Sequence, residues 1–292
     1  MGPTGSGKSA LALEVAERTG AEIVAADAFT VYRGMDIGTA KPSPEQRAGV
    51  AHHMMDVLDP WEDCTARWFQ AQGRAVIAQV HARGRLPLLV GGSGLYLRAL
   101  VDPLRFPPTD AAVRERIHEP FAHDPEAAHR RLAELDPQAA AKMDPANLRR
   151  AVRALEVIEL TGEPFSSFST AWGDYRSVYP RLRLLGLEMP RALLHERLDT
   201  RVDAMVHAGW LDEVRALRAL GRPLSPTAAQ AIGYAELWEH VDGALPLDEA
   251  VARTKMRTRR YAVRQQRWFA RDPRVQWVAP RSARAVLEEL IG

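Results

Sequence analysis

The chain contains few of the residues that mark secreted or membrane-spanning proteins. Its 292 residues include one cysteine, Cys64, which excludes an intramolecular disulfide and a metal site built from several cysteines. A single cysteine suits a reducing compartment, so we expect a cytoplasmic protein. No apolar run approaches the length that would span a bilayer, so we expect no membrane partner.

Net charge is also small, because 39 basic and 37 acidic residues leave only +2. The distribution is less even. Between residues 253 and 274, one acid (Asp272) accompanies nine basic residues: Arg253, Lys255, Arg257, Arg259, Arg260, Arg264, Arg267, Arg271 and Arg274. Such a segment can contact nucleic-acid phosphates, although a solvated helix face would carry the same charges. We assign the interleaved aromatics Tyr261, Trp268 and Phe269 mainly to packing.

Residues 2–9, GPTGSGKS, match the phosphate-loop pattern G-x-x-x-x-G-K-[ST] at every fixed position. Glycines let the backbone fold around an anion, and the next helix presents its positive end to it. Lys8 adds a mobile positive charge, and the Ser9 hydroxyl can ligate Mg²⁺. The alternative is a turn that binds nothing. The expected diphosphate-binding residues are Gly2, Pro3, Thr4, Gly5, Ser6, Gly7, Lys8 and Ser9.

A loop of this kind normally follows a buried strand, which fixes where the loop points. Here Gly2 comes directly after Met1, so that first strand is missing from the sequence. Either translation starts upstream or this version of the protein has lost the strand. We favour an upstream start.

The pattern beyond the loop alternates between helix and strand. A helix is expected from the loop to Arg18 and another over 68–83, while the apolar runs at 21–26 and 86–91 predict buried parallel strands. This order predicts an α/β fold, a P-loop NTPase-like parallel sheet flanked by helices. Ligands bind such sheets at the carboxyl ends of the strands, where the loop, Asp27 and Ser93 all fall.

We expect three regions along the chain: a P-loop core without its first strand at 1–108, a helical insertion at 109–143, and the remainder of the core with C-terminal basic helices at 144–292. Within the last region, RLRLLGL at 181–187 predicts a returning strand. Helices are predicted over 191–208, 211–220, 227–240 and 247–271.

Asp27 is the one carboxylate that directly follows an apolar strand. That position suits a residue that holds a metal through water, or a base that faces an acceptor. Sequence spacing does not separate these two roles, and a turn cap is a third. Similarly, Ser93 could act in the site or be a turn residue between glycines. Arg153 could touch RNA or pair with Glu156 or Glu159.

Several long blocks, in one order, are those of a known family. They are GPTGSGKS at 2–9, VYRGMDIGTAKP at 31–42, HHMMDVLDP at 52–60, GGSGLYLRAL at 91–100, DPANLRRAVRALEVIELTGEP at 144–164, QAIGY at 230–234 and RRYAVRQQRWFARDPRVQW at 259–277. Over nearly its whole length the sequence resembles the tRNA dimethylallyltransferase family. So many blocks in the same order make a chance match very improbable.

The resemblance implies transfer of a dimethylallyl group from dimethylallyl diphosphate to the N6 amine of the adenosine 3′-adjacent to the tRNA anticodon, with release of diphosphate. It implies Asp27 as general base, Ser93 and Lys8 as further catalytic residues, and Mg²⁺ at Ser9. We expect a monomer whose partners are dimethylallyl diphosphate and the tRNA anticodon stem-loop. The implied tRNA-binding residues are Asp27, Ala28, Phe29, Thr30, Ser93, Arg114, Arg149, Arg150, Arg260, Arg264 and Gln265.

A few positions depart from the family pattern. Ala28 stands where Ser is usual, Ser93 where Thr is usual, and Ala235 and Val263 where a basic residue is usual. Three alternatives therefore stay open: an adenylate isopentenyltransferase that uses free nucleotide, a small P-loop kinase, and a tRNA-binding protein without activity. The basic C-terminal segment argues against the first, and the lack of a second metal-holding Asp argues against the second.

Overall fold

The computed structural model describes residues 1–291, and the side chains of all of these except 169–171, 281 and 288–291. The chain divides into a core unit, Met1–Val101 with Tyr179–Gly292, and a helical unit, Asp102–Val178. Within the described residues, no helix combines the length and the hydropathy needed to cross a bilayer.

The core unit contains all the strands and most of the helices of the described chain. In order, its elements are α1 (Lys8–Thr19), β1 (Glu22–Ala25), α2 (Pro44–Ala48), β2 (His52–His53), α3 (Ala66–Ala82), β3 (Pro87–Val90) and α4 (Gly94–Val101). After the helical unit, which holds α5 to α8, follow β4 (Leu184–Leu187), α9 (Arg191–His207), α10 (Trp210–Ala219), α11 (Tyr234–Val241), α12 (Leu247–Phe269), β5 (Val275–Val278) and α13 (Pro280–Ile291).

The main sheet is parallel and has the order β2-β1-β3, with Ile23 opposite Leu88. Strands β1 and β3 are the ones that the sequence predicted, because residues buried inside a parallel sheet read as continuous apolar runs. Strand β2, two histidines long, was not predicted. The chain leaves β1 at Asp27 and β3 at Ser93. Both residues therefore lie at the carboxyl edge of the sheet, as expected.

The predicted returning strand also forms, but it does not join the main sheet. β4 pairs in parallel with β5, with Leu184 opposite Val275, in a separate sheet of two strands. The prediction of one helix over 227–240 is wrong. A short 3₁₀ turn at Ala228–Gln230 is followed by α11, because Gly233 has a φ of +93° and caps the new helix. That backbone conformation favours glycine and interrupts a continuous helix.

The longest helix, α12, brings the C-terminal part of the core unit to the sheet edge. Its buried face includes Ala250, Thr254, Ala262, Gln265 and Phe269, and it packs against α4, α9 and α11. The helix confirms the one predicted over 247–271, apart from the last two residues. Its 23 residues cover more than 30 Å, at about 1.5 Å per residue.

The helical unit consists of α5 (Ala111–His118), α6 (Pro125–Leu135), α7 (Pro137–Ala140) and α8 (Leu148–Thr161). Each helix begins after an Asp or Asn whose side chain accepts a main-chain N–H bond of the first turn. The insertion predicted over 109–143 lies within this unit. The unit extends further because α8 packs against α5 and α6 and shares their small apolar core around Leu132 and Leu155.

Candidate active site at the phosphate loop

The predicted phosphate loop forms a tight turn that ends at the first residue of α1. Gly5 and Gly7 have φ values of +80° and +90°, in the left-handed region that favours glycine. A Cβ at Gly5 would also lie 2.9 Å from Cδ2 of Leu198. Among the described residues, the hydroxyl of Ser6 is buried without a hydrogen-bond partner. A glycine-built turn with an unused buried donor at a helix N-terminus suits a bound anion.

A cavity of about 280 Å³ lies directly beside this loop, within the core unit. The loop lines it with Thr4, Lys8 and Ser9. The segment after β1 contributes Asp27, Phe29 and Thr30, and helices from the second half of the chain contribute Arg201, Tyr261 and Gln265. The same cavity therefore brings together a phosphate-binding loop and a carboxylate.

Asp27 has two roles, one for each carboxylate oxygen. Oδ1 accepts a hydrogen bond of 3.0 Å from the main-chain N–H of Phe29, which is the turn cap that the sequence left open. Oδ2 accepts a longer contact of 3.5 Å from Oγ of Ser93. Burial raises the pKa of Asp27, while the N–H of Phe29, the charge of Lys8 and Ser93 act in the opposite direction. A half-buried carboxylate with a raised pKa is suited to accepting a proton.

Two cations meet the carboxylate across the cavity. Burial lowers the pKa of Lys8 to about 8, with the charge of Asp27 raising it and that of Arg201 lowering it. Burial also lowers the pKa of Arg201. Half-buried cations that repel each other are stabilised by an anion bound in the cavity that both of them line. Arg201 was missed by sequence reasoning, because a single arginine in α9 carries no local signal.

Helix α12 places two side chains against the site. Gln265 is 5% exposed. Its Oε1 accepts a bond of 2.8 Å from the main-chain N–H of Thr4, and its Nε2 donates one of 2.8 Å to the carbonyl of Gly92. It therefore ties the phosphate loop to the turn that carries Ser93. The tRNA contact expected at Gln265 stays a prediction.

Tyr261 lies one turn before Gln265, and its hydroxyl is 3.4 Å from Oγ of Ser93. Burial raises the pKa of Tyr261 to about 12, and the charge of Asp27 adds to the effect. The phenol therefore stays protonated at neutral pH and can donate a hydrogen bond. The sequence predicts that Tyr261 serves mainly in packing. Its hydroxyl group, however, reaches the site.

The polar segment after Asp27 is held in place by ion pairs of one buried lysine and by main-chain N–H groups that donate to a carboxylate. Nζ of Lys41, whose side chain is 1% exposed, lies 2.7 Å from Asp36 and 2.6 Å from Asp56. Glu213 accepts the N–H groups of Asp36 and Ile37 at 2.7 and 2.8 Å, and also the hydroxyl of Tyr234. The QAIGY block therefore contributes to the shape of this segment through Tyr234.

The basic face of α12 divides into two parts. Its N-terminal part is engaged in ion pairs: Lys255 with Asp203, Arg257 with Glu236, Arg259 with Asp199, and Arg253 with Glu249. Its C-terminal part lines a groove of about 390 Å³. The groove is bounded by Arg191, His195, Met256, Arg259, Arg260, Val263, Arg264 and Arg267. Arg259 belongs to both parts. Among the described residues, charge pairing within the protein therefore accounts for the N-terminal part and for Arg259, but not for Arg260, Arg264 and Arg267.

The arginines of the helical unit that the sequence analysis named as candidates differ in whether they pair with a carboxylate. Arg114 and Arg153 lie 2.9 and 2.8 Å from Oε2 of the fully buried Glu156. Arg153 is therefore the ion-pair partner that the sequence offered as one alternative. Arg149 and Arg150, in the first turn of α8, are exposed. Their RNA contacts, and that of Arg114, stay predictions.

The fold and the site define an α/β protein of the phosphate-loop class, built to hold a polyphosphate group. The family model described as IPP transferase matches residues 30–272, and one described as isopentenyl transferase matches residues 1–56. The chain belongs to the IPP transferase family. The family resemblance and the α/β fold expected from the sequence are thereby confirmed.

Relatives and solved structures agree with this assignment. The tRNA dimethylallyltransferase of Kocuria rhizophila is 48% identical over 95% of this chain and 87% of its own length. That of Symbiobacterium thermophilum is 48% identical over 100% and 92%. The crystal structure of a full-length tRNA isopentenylpyrophosphate transferase from Bacillus halodurans aligns with a TM-score of 0.71 at 36% identity, over 99% of this chain and 94% of that one. A eukaryotic dimethylallyltransferase acting on tRNA aligns with a TM-score of 0.83 at 27% identity, over 99% and 76%.

We predict that Arg201→Met weakens the binding of inorganic diphosphate by about 10- to 100-fold, because a charged donor to the anion is lost. Titration calorimetry with diphosphate measures the change. Arg197→Met is the matched control, since Arg197 is an exposed arginine one turn earlier on α9. Equal affinity in the two variants would show that Arg201 does not bind the anion.

Proposed function

We propose that this protein transfers a dimethylallyl group from dimethylallyl diphosphate to the N6 amine of the adenosine 3′-adjacent to a tRNA anticodon, and releases diphosphate. The observation that carries the proposal is the single cavity in which Lys8 and Arg201 lie with the half-buried carboxylate of Asp27. The relatives named above, with the same enzyme name over nearly their full length, support the substrate pair. We expect the enzyme to act in the cytoplasm.

In this reaction the carbon–oxygen bond of the donor breaks and its diphosphate leaves with the bonding electrons. The N–H groups of the phosphate loop and the charges of Lys8 and Arg201 stabilise the negative charge that develops. The low pKa of Lys8 follows chiefly from its burial. A bound diphosphate would raise that pKa and hold the ammonium in its charged form.

Mg²⁺ fits the donors on this side of the cavity. It prefers oxygen ligands and is commonly bound through one or two protein oxygens, waters and substrate phosphates. The exposed hydroxyl of Ser9 lines the cavity together with Asp27, and the described residues contain no cluster of three or more His, Cys, Asp or Glu that would hold an ion alone. Ser9 would hold the ion, which would neutralise further charge on the leaving group.

On the acceptor side, the amine of adenine is a weak nucleophile. A new carbon–nitrogen bond forms at N6, and the displaced proton passes to Asp27. Oγ of Ser93 lies 3.5 Å from Oδ2 of Asp27 and 3.4 Å from the hydroxyl of Tyr261. From this position Ser93 can orient the amine toward Asp27. Thr30 lines the same cavity, and its buried hydroxyl has no partner among the described residues. It is therefore available to an edge of the adenine, beside Ala28 and Phe29.

The adenine must leave its stack to reach this cavity, which is feasible for a loop nucleotide because its stacking is incomplete. We assign the phosphate contacts to the arginines that line the groove on α12, chiefly Arg260 and Arg264. This groove favours RNA over free adenylate, because a mononucleotide offers no extended row of phosphates to it. The further contacts expected at Arg114, Arg149 and Arg150 belong to the same proposal.

The proposed function is tested by incubating the protein with dimethylallyl diphosphate, Mg²⁺ and an anticodon stem-loop that carries consecutive adenosines. We expect a prenylated base by mass spectrometry, located at the adenosine 3′ to the anticodon. Parallel reactions contain AMP in place of RNA, or ATP alone. Prenylation of AMP without RNA product would favour the adenylate enzyme, and phosphoryl transfer from ATP would favour the kinase.

Asp27→Asn should lower kcat by about 10²–10⁴, because the amide cannot accept the proton. The native enzyme should show a kcat/KM that rises with pH as Asp27 ionises, at a pH above its usual range, and that falls above about pH 8 as Lys8 loses its proton. The Asp27→Asn variant should lose the acid limb and keep the alkaline one. RNA affinity, measured by filter binding, should stay near that of the native protein. An unchanged acid limb would contradict the role of Asp27.

Arg260→Ala should weaken RNA binding and reduce the slope of log affinity against log salt by about one unit, because one phosphate contact is lost. Arg253→Ala is the matched control: this arginine of α12 lies outside the groove, is paired with Glu249 at 2.5 Å and should leave the slope unchanged. Filter binding at several salt concentrations measures both. Identical slopes for Arg260→Ala and the native protein would show that Arg260 is exposed to solvent and does not contact a phosphate.

A further inference from the structure

The cavity beside the phosphate loop has an apolar wall in addition to its polar residues. The wall is formed by side chains from the second half of the chain: Leu198, Val202, Met205, Trp210 and Ile232. Hydrocarbon side chains of this kind favour a hydrocarbon group of a ligand, because both leave water when they meet. The contacts assigned above to diphosphate and adenine use the polar residues, so the apolar wall is left for the alkyl group of the donor.

Helix α9 carries both a cation of the site and part of the apolar wall. Arg201 and Met205 are four residues apart and so share one face of the helix, with Met205 about 6 Å further along the axis. The helix ends at His207, and Gly209, with a φ of +98°, turns the chain into α10, which begins at Trp210. An alkyl group attached to a diphosphate at Arg201 therefore lies within reach of the apolar wall.

Trp210 is the bulkiest residue of this wall, and its indole is clamped between two glycines. The residue is only 2% exposed. A Cβ at Gly38 would lie 2.2 Å from Nε1 of the indole, and a Cβ at Gly233 would lie 2.0 Å from its Cη2. The ring of Tyr234 meets the indole edge-on, with the centroids 5.7 Å apart. Among the described residues the indole N–H has no hydrogen-bond partner, so packing holds the ring.

The segment that carries Gly38 is itself fixed. Glu213 accepts the main-chain N–H of Ile37 at 2.8 Å and that of Gly38 at 3.3 Å. Three residues later, Nζ of the buried Lys41 lies 2.6 Å from Asp56. Movement of this segment away from the indole would break these bonds. The cavity therefore keeps its width beside Trp210.

The cavity is also small for what it has to hold. Its volume is about 280 Å³, whereas pockets for small ligands usually measure about 300–1,000 Å³. In the proposed reaction it must receive the diphosphate, the alkyl group and the reacting edge of adenine together. Little volume is left for a longer alkyl group.

We propose that Trp210 limits the length of the alkyl group that this protein accepts from an allylic diphosphate. This selection rests on the proposed function, because it concerns the donor of that reaction. A five-carbon group fits against the apolar wall, whereas a ten-carbon group meets the clamped indole. The reaction of the longer donor is otherwise the same: its carbon–oxygen bond breaks, diphosphate leaves with the electron pair, and N6 gains the carbon and gives its proton to Asp27.

The test compares dimethylallyl diphosphate with geranyl diphosphate, its ten-carbon counterpart, as donors to the same anticodon stem-loop. Trp210→Leu should raise the ratio of kcat/KM for the longer donor to that for the shorter one by at least about 10-fold, because contacts in an apolar pocket change discrimination by about 10–200-fold. Trp238→Leu is the matched control, since Trp238 is a half-buried tryptophan of α11 outside the cavity. An unchanged ratio in Trp210→Leu, or an equal rise in the control, overturns the proposal.

Binding without RNA separates this proposal from the proposed function. By titration calorimetry, Trp210→Leu should bind geranyl diphosphate at least about 10-fold more tightly than the native protein does and inorganic diphosphate equally. That result supports the role of Trp210 whether or not a base is prenylated. Trp210→Phe keeps an aromatic ring against Tyr234 and should show the same change to a smaller extent, so it carries the test if Trp210→Leu does not fold. Equal affinity of the native protein and the folded variants for geranyl diphosphate contradicts the role of Trp210.

Discussion

The site depends on the burial of opposite charges in one cavity. Burial alone disfavours the ionised form of every group there, so it raises the pKa of Asp27 and lowers those of Lys8 and Arg201. The charge of Lys8 keeps the carboxylate more acidic than burial would leave it, and Asp27 does the converse for Lys8. This balance keeps a base and two cations together in a half-buried site, where each charge acts more strongly than in bulk solvent. The phosphate loop, the turn after β1 and helix α9 have to meet at this cavity for the balance to exist.

The spacing between these groups is set from the far end of the chain. Gln265 bonds to the phosphate loop at Thr4 and to the carbonyl of Gly92, so one buried amide links the leaving-group side of the site to the turn that carries Ser93. Tyr261 adds a phenol to the same turn from one helical turn earlier. Under the proposed function the position of α12 matters for the rate, because a misplacement of about 1 Å can cost about 10²-fold. Its packing against α4, α9 and α11 is therefore part of the site's construction.

Local patterns in the sequence predicted the parts of the molecule that depend on local physics. The loop geometry follows from glycine and the strands from continuous apolar runs, so Lys8, Asp27 and Ser93 could be placed at one sheet edge in advance. The contributions of Arg201, Tyr261 and the bridging amide of Gln265 could not be read, because they depend on how α9 and α12 pack against residues more than a hundred positions away. The helix predicted over 227–240 was wrong because a single positive φ, at Gly233, outweighed the helical spacing of its neighbours. The second sheet was missed because pairing between β4 and β5 joins segments that no short pattern connects.

The basic helix shows why charge counts alone are poor evidence for RNA binding. Arg253, Lys255, Arg257 and Arg259 are each opposed by a carboxylate of the same unit, so their charges are largely neutralised inside the protein. Exposed ion pairs add little stability, but they remove these residues from the field that a polyanion would experience. What remains is a narrower positive groove at the C-terminal part of α12, where Arg260 directly precedes Tyr261 and Arg264 directly precedes Gln265 in the sequence. Electrostatic attraction for a polyanion is thereby concentrated on this part of the helix and not spread along its whole length.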